Sequence, residues 1–338
     1  SGLRMPGTVQ ATCMPNGAVV ASTWDTDLIG QMYELEGVEM YGHKVDALLG
    51  PGINIHRHPL NGRNFEYFSE DPLLTGKLAA AICRALEKSG VTATIKHFYG
   101  NSQEDGRHTS SSVISERAAR EIYLRAFEIA VKEGGATAIM TSYNAVNETW
   151  TAGYYDLNTT VLRGDWGYTG MVMTDWWTHI NEEAQPETKT DFARMIRAQN
   201  DVYMVCASAA ANHQRDNLAQ GLASGLITRG ELQRSAMNVC RYAMHVPAFE
   251  RYADAGFEPV IIDYDSLDTV AVIENVESEV TYPVSTDKEG VMAVCVTAVS
   301  NADEAAQLPI DIFVGWISTT LLATGTGGKE VVFTGETV

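Results

Sequence analysis

The sequence predicts an α/β fold: a (β/α) barrel of the TIM type, incomplete on this chain, followed by a small all-β sandwich domain. Two observations support this prediction. Between residues 25 and 246, short apolar runs alternate with longer segments of helical periodicity, which is typical of parallel βα units. After residue 246, short β-rich runs are separated by Asp, Asn, Gly and Ser turns. The predicted domains are 1–246 for the barrel, 247–257 for a linker and 258–338 for the sandwich.

Apolar runs mark the strands of the predicted barrel. The five clear runs are 45–49, 91–95, 136–140, 170–174 and 201–205, and a weaker strand is predicted near 18–21. A closed barrel of this type has about eight strands. We therefore expect the missing strands to precede Ser1, where the chain opens without an initiator Met, as the interior of a longer gene product would.

Helical periodicity is clearest over residues 116–132, where Ser115 can cap the first turn. The apolar positions predicted to face the sheet are Ala119, Ile122, Ala126, Ile129 and Ala130. A second helix is predicted to begin near residues 69–72, because acidic side chains suit the positive end of a helix dipole and proline is tolerated in the first turn.

The predicted sandwich contains seven short strands in the last eighty or so residues. They are 260–262, 270–273, 280–282, 291–299, 310–316, 320–322 and 331–333. The sequence alone leaves open whether this domain binds polysaccharide, supports the barrel or mediates homo-oligomer formation.

Composition excludes several classes of partner. The 338 residues carry a net charge of −19, which repels nucleic acid and anionic membrane surfaces. No apolar run approaches the roughly 18 residues that span a bilayer. The five cysteines are widely spaced without a C-x-x-C pair, so we expect reduced packing residues, a cytoplasmic location and neither a metal nor a cofactor. A neutral molecule such as a sugar meets no electrostatic penalty.

Polar residues gather where the predicted strands end, and barrel enzymes carry their catalytic groups at that position. Residues 50–72 combine His, Arg, Asn and Glu with glycines and prolines, and Arg63 lies among them. Lys96 and His97 end the second strand. The third strand ends in Met140 and is followed by Tyr143. As an alternative, such residues could form an ordinary charged loop and a structural barrel rim.

The fourth strand ends in a lone carboxylate, Asp175, followed by Trp176. Rigidly held guanidinium, imidazole and aromatic groups suit the recognition of sugar hydroxyls and of the apolar face of a pyranose ring. If Arg63, Lys96, His97 and Asp175 lay far apart, the structural alternative would be favoured.

Five motifs together resemble glycoside hydrolase family 3, in order along residues 1–246. They are GPGINIHRHPLNGRNFEYFSEDP, TIKHF, MTSYNAVN, VLRGDWGYTG and VMTDWW. The resemblance implies that Asp175 is the nucleophile of a retaining, exo-acting β-glucosidase. The residues that it implies at the sugar site are Arg63, Lys96, His97, Tyr143, Trp176 and Met140.

The resemblance also indicates what this chain lacks. Many family members carry a substrate-binding Asp just before the Gly2-Leu3-Arg4 match, and their acid/base catalyst is a Glu on an α/β-sandwich segment, which we expect upstream in a permuted domain order. The loop bearing Glu104 and His108 lacks the Asp-x-His pattern of the N-acetylglucosaminidase branch. We expect those two residues to shape the loop or a subsite.

The predicted substrate is a β-glucoside or a cello-oligosaccharide with a terminal non-reducing glucosyl residue. β-Xylosidase and β-N-acetylglucosaminidase activities remain as alternatives within the family. A non-catalytic sugar-binding protein is the alternative from another class, although an isolated carboxylate that is costly to desolvate argues against it.

Overall fold

A computed structural model describes residues 11–181, 185–206 and 211–254, together with strands at 292–298, 307–314, 317–324 and 331–337. The chain divides into two compact units. The first comprises Ser1–Val205 and Arg215–Phe257, and the second comprises Cys206–Gln214 and Glu258–Val338.

The first unit is built on a parallel sheet. Its strands are β1 (Ala47–Leu48), β2 (Thr92–Phe98), β3 (Ala138–Thr141), β4 (Met171–Trp176) and β5 (Val202–Met204). Their order in the sheet follows their order in the chain, and every neighbouring pair is parallel. The five predicted strands are confirmed, and they form a curled half-barrel of the TIM type.

The α-helices of this unit precede, separate and follow the strands. They are α1 (Gly17–Ala21), α2 (Thr26–Gly42), α3 (Pro72–Glu87), α4 (Glu116–Ala118), α5 (Arg125–Lys132), α6 (Phe192–Arg197), α7 (Leu218–Ser224), α8 (Arg229–His245) and α9 (Pro247–Asp254). Three short strands, Ser111–Ser112, Ala145–Val146 and Thr149–Trp150, form a separate small sheet. Among the described residues, no helix combines the length and apolar character needed to cross a membrane.

The weak strand predicted near residues 18–21 is wrong, because this segment forms helix α1. The Asn16 side chain accepts a hydrogen bond from the Val19 N–H and so caps the first turn. The helix predicted to begin near residues 69–72 is confirmed as α3, with Asp71 as its cap and Pro72 in the first turn.

The helix predicted over 116–132 is interrupted. A π-helical segment, Ala119–Tyr123, separates α4 from α5. Such a segment adds a residue to the turn and rotates the positions that follow it. The prediction that Ile122 faces the sheet is therefore wrong, since that residue is exposed and Leu124 is buried instead.

The core of the first unit lies on both faces of the sheet. The main cluster joins β2 to the helices outside it and includes Phe98, Phe127, Leu86 and Ile139. A smaller cluster on the other face, inside the curl, contains Ala138, Met140, Met171 and Met173. Apolar packing on both faces leaves the carboxyl ends of the strands as the place for polar groups.

The segment predicted as a linker contains helix α9. Its Arg251 contacts both carboxylate oxygens of Asp46, just before β1, at 2.6 and 2.8 Å. The Ala248 N–H donates to the same carboxylate at 2.9 Å. These contacts attach α9 to the half-barrel.

The second unit contains four described strands. β6 (Met292–Ala298) pairs antiparallel with β9 (Val331–Thr337), and β7 (Gln307–Val314) pairs antiparallel with β8 (Ile317–Thr324). These strands overlap four of the seven predicted runs. The runs at 260–262, 270–273 and 280–282 lie outside the described residues, and the assembly of a sandwich stays a prediction.

Candidate active site

Asp175 lies at the carboxyl end of β4, and only 4% of the residue is exposed. The neighbouring parallel strands end at the same edge of the sheet. They bring His97 from the end of β2 and Tyr143 from the loop after β3 to this carboxylate. The structure thus joins residues from three separate sequence motifs.

Hydrogen-bond donors surround the Asp175 carboxylate. The Trp176 N–H donates to Oδ1 at 2.8 Å. The Tyr143 hydroxyl lies near enough to lower the pKa of the carboxyl group as a hydrogen-bond donor. His97 Nε2 lies 3.6 Å from Oδ2. Within the described part of the chain, Oδ2 is buried without a hydrogen-bond partner at closer range. An oxygen left free in this way can form a bond to a bound molecule.

Two opposing effects act on the charge of Asp175. Burial raises the pKa of its carboxyl group, whereas the Trp176 N–H, the Tyr143 hydroxyl and the positive charges of Arg63 and Lys96 lower that pKa. Burial outweighs the others, so the net pKa lies above the usual value for an aspartate. A desolvated carboxylate among oriented donors is typical of a catalytic group.

Contacts to both the backbone and the imidazole ring hold His97 in place. Its backbone N–H donates to Asn54 Oδ1, and the Asn54 amide donates back to the His97 carbonyl, both at 2.8 Å. The side chain is buried, and burial lowers the pKa of His97 well below its usual value, with further lowering by the charges of Arg63, Lys96 and Arg107. The ring is therefore neutral near pH 7.

The other side of the His97 ring faces Tyr67. The Tyr67 hydroxyl lies 3.0 Å from His97 Nδ1 and accepts a hydrogen bond from Asn101 Nδ2 at 2.9 Å. The same Asn101 nitrogen donates to Glu104 Oε1 at 2.9 Å. A continuous chain of polar contacts thus runs from Glu104 to Asp175.

Arg63 belongs to an ion-pair network beside this chain of contacts. Its Nε pairs with Glu66 and lies 4.0 Å from Glu104 Oε1. The other oxygen of Glu104 accepts from Arg107 at 2.6 Å. Arg63 therefore acts on Asp175 through its electric field.

Lys96 precedes His97 on β2 and is half-buried. Its positive charge lowers the pKa of both Asp175 and His97. The register of β2 against β3 shifts between Lys96 and Phe98. A bulge of this kind re-aims side chains next to a site.

Aromatic groups line one side of the site. His108 lies with its ring centroid 4.3 Å from that of Tyr143, and the Arg107 guanidinium lies 4.4 Å from the Tyr143 centroid. Burial, followed by the charge of Asp175, raises the pKa of Tyr143 well above its usual value. The phenol therefore keeps its proton and remains a donor.

Trp176 and Met140 occupy the inside of the curl. Trp176 packs partly buried against the cluster that contains Met140, Met171 and Met173. Met140 itself is buried in that cluster. Direct contact of either side chain with a sugar stays a prediction.

The sequence analysis did not identify three residues that hold the site: Asn54, Tyr67 and Asn101. A signal existed for Asn54, which lies between Ile53 and Ile55, because an amide inside an apolar run must find partners when buried. Their contacts with His97 and with each other span 30 to 43 positions along the chain, so the pairs were not recognisable from sequence. Within the described residues, no group of three His, Cys, Asp or Glu side chains is placed to hold a metal ion.

The chain is similar to several known proteins. Residues 4–242 match the Glycosyl hydrolase family 3 N terminal domain. A β-glucosidase from Ruminococcus albus is 45% identical over 99% of this chain, and an exo-α-(1→6)-L-arabinopyranosidase from Bifidobacterium breve is 38% identical over 75% of it.

A solved β-glucosidase structure from Paenibacillus barengoltzii is also similar, with 43% identity, a TM-score of 0.77 and coverage of 99% of this chain. The matched regions make up 37%, 33% and 38% of the Ruminococcus, Bifidobacterium and Paenibacillus proteins. The chain thus spans about a third of the length of these proteins.

Proposed function

Because this chain belongs to glycosyl hydrolase family 3, we propose that it is the nucleophile-bearing part of a retaining, exo-acting β-glucosidase. One observation supports this proposal above all. Asp175 is a buried carboxylate with one oxygen held by the Trp176 N–H and the other free of any closer partner in the described structure.

The proposed reaction is a double displacement. Asp175 Oδ2 attacks the anomeric carbon of a terminal β-glucosyl residue, and the bond to the leaving oxygen breaks as that oxygen takes a proton from a general acid. Water then attacks the glycosyl-enzyme, gives its proton to the same group as a base, and releases Asp175 and glucose. Both steps pass through a transition state of oxocarbenium character.

The neighbouring residues would bind the sugar. His97 and Lys96 would donate hydrogen bonds to hydroxyl groups, and such bonds strengthen as charge develops in the transition state. Trp176 would supply a flat wall for the C–H face of the ring. Tyr143 would hold the nucleophile in position, and Arg63 would act through its charge.

The general acid is proposed to be a Glu on a segment outside this chain. Glu104 is a poor candidate for this role because both of its oxygens are engaged, by Asn101 and by Arg107. A retaining pair needs its two carboxyl groups about 5 to 5.5 Å apart. A paired, structurally engaged carboxylate cannot readily protonate a leaving group.

The proposed substrate is a terminal β-glucoside, and a β-xyloside and a β-N-acetylglucosaminide are the alternatives. The arabinopyranosidase relative adds α-L-arabinopyranoside to the set that must be compared. Aryl glycosides of all four sugars, assayed with the full protein that contains this chain, would rank them by kcat/KM. A clear preference for a sugar other than glucose would contradict the proposed substrate.

Mechanism-based labelling tests the nucleophile. A 2-deoxy-2-fluoro glucoside with a good leaving group should form a stable ester, and peptide mapping should place it on Asp175. Asp175→Asn should remain unlabelled, and its turnover should fall by at least about 10⁴-fold. A label on another carboxylate, or no label on an active protein, would overturn the assignment.

A further inference from the structure

Among the described residues, two side chains make polar contacts with the Tyr67 hydroxyl. Tyr67 is fully buried, and among the described residues its oxygen contacts Asn101 Nδ2 at 2.9 Å and His97 Nδ1 at 3.0 Å. Burial raises the pKa of Tyr67 well above its usual value, so the phenol keeps its proton. That proton needs an acceptor, because an unsatisfied buried donor is costly.

The orientation of the Asn101 amide determines which atom accepts the proton of the Tyr67 hydroxyl. Its Nδ2 faces both the Tyr67 hydroxyl and Glu104 Oε1. A carboxylate accepts and cannot donate, so the amide must present its N–H groups to these neighbours. The Tyr67 oxygen therefore accepts from Asn101, and the remaining acceptor for its own proton is His97 Nδ1.

A neutral imidazole carries one proton, so an accepting Nδ1 requires Nε2 to be protonated. Nε2 is the atom that lies 3.6 Å from Asp175 Oδ2. The opposite tautomer would place a nitrogen lone pair against a carboxylate oxygen and would leave the Tyr67 proton without an acceptor. Both of these consequences of the opposite tautomer are unfavourable in a buried site.

We propose that Tyr67, oriented by Asn101 and Glu104, is a positioning residue that fixes His97 as the Nε2–H tautomer. His97 then presents a neutral N–H donor to the Asp175 side of the site. This inference rests on the proposed function for its kinetic consequence, since the donor would serve a sugar hydroxyl beside the nucleophile. The tautomer itself is a property of the unliganded protein.

The chain of contacts also gives Glu104 a role. Its negative charge orients the Asn101 amide, and Arg107 holds the carboxylate in place at 2.6 Å. Exchanging Glu104 for Gln would allow the Asn101 amide to flip, so that its oxygen and nitrogen exchange places. A Gln side chain can present either an oxygen or an N–H group to it.

Tyr67→Phe tests the proposal, with Tyr168→Phe as its matched control. Tyr168 is also a buried tyrosine with one internal hydrogen bond, from its hydroxyl to the Met171 carbonyl at 2.7 Å, and it lies in the main core. Each variant removes one buried hydroxyl, but only Tyr67→Phe removes the partner of His97.

The first measurement is nitrogen-15 NMR of the full protein labelled at histidine, without substrate. Long-range couplings show which ring nitrogen carries the proton, and the spectrum of His97→Gln identifies the signals of His97. Wild type and Tyr168→Phe should show His97 protonated at Nε2. Tyr67→Phe should show a mixture of tautomers. A wild-type signal protonated at Nδ1 would overturn the proposal, even if the variant did not fold.

The second measurement is steady-state kinetics on an aryl β-glucoside. Tyr67→Phe should lower kcat/KM by about 10- to 100-fold, and Tyr168→Phe should change it by less than about threefold. An unchanged tautomer together with unchanged kinetics in Tyr67→Phe would also overturn the proposal. If labelling by the fluoroglucoside failed while the tautomer was as expected, the proposed function would be wrong and the positioning by Tyr67 would stand.

Discussion

At the scale of a single residue, the surroundings of Asp175 determine how readily its carboxyl group ionises. Its burial disfavours the charged form, and the Trp176 N–H and the Tyr143 hydroxyl return part of that cost. Such a balance leaves a carboxylate poorly solvated and therefore reactive. The balance also predicts how activity depends on pH.

The pKa of Asp175 should set the acid limb of kcat/KM, because only the ionised carboxylate attacks. Burial raises this pKa, so activity should already fall at a pH above the ordinary aspartate value of about 3.9. Tyr143→Phe removes a donor that lowers the pKa. The acid limb should therefore move to higher pH, and the plateau should fall about tenfold.

A pH profile of kcat/KM for wild type and Tyr143→Phe measures both effects, with Tyr168→Phe as the control for loss of a remote tyrosine hydroxyl. The alkaline limb should not move, since it reports a different group. A shift of the acid limb to lower pH in Tyr143→Phe would show that Tyr143 does not donate to Asp175.

The sequence indicated where the candidate site lies but not how its residues are held. Asp175, His97 and Tyr143 were identified because each follows an apolar strand, and parallel strands end at one edge of a sheet. Tyr67 and Asn101 were not identified, because their roles come from contacts 30 and 34 positions away in the sequence. Side-chain pairs of this kind depend on loop geometry, which periodicity does not encode.

At the scale of elements, the packing of α3 against α5 depends on a glycine. A Cβ atom placed on Gly76 would lie 2.8 Å from Ile129 Cβ and 3.2 Å from the Ala126 Cα. Helices approach this closely only where one of them lacks a side chain.

The π-helical segment before α5 was missed by the sequence analysis, since an even 3.6-residue period cannot indicate an added residue.

Gly76→Ala should lower the free energy of unfolding by about 1–3 kcal/mol, because a methyl group would force the two helices apart. Gly30→Ala is the matched control: this glycine lies inside α2, and a Cβ there would have no atom within 4 Å. That variant should be more stable by about 0.5–1 kcal/mol, from helix propensity alone. Urea unfolding at one pH compares the two, and equal effects would show that α3 and α5 are not closely packed at Gly76.

At the scale of the whole molecule, the described half-barrel supplies the proposed nucleophile, Asp175, and a set of donors but no well-placed general acid. Glu66 and Glu104, the carboxylates beside Arg63, are engaged in ion pairs and hydrogen bonds. The relatives are more than twice as long as the matched regions. This agrees with the proposal that a segment outside this chain completes the site.

The 338-residue chain by itself should therefore turn over cellobiose poorly, since loss of general acid catalysis typically costs about 10²- to 10⁴-fold. A glucoside with a good aryl leaving group needs little protonation, so its glycosylation step should suffer least. Assays of both substrates, with the chain alone and with the full protein, measure this difference, and fluoroglucoside labelling of Asp175 in the chain alone controls for folding of the site. Turnover of cellobiose at the full rate by the chain alone would mean that the acid lies within it. Glu104 and His108 would then be the first residues to replace, as Glu104→Gln and His108→Ala.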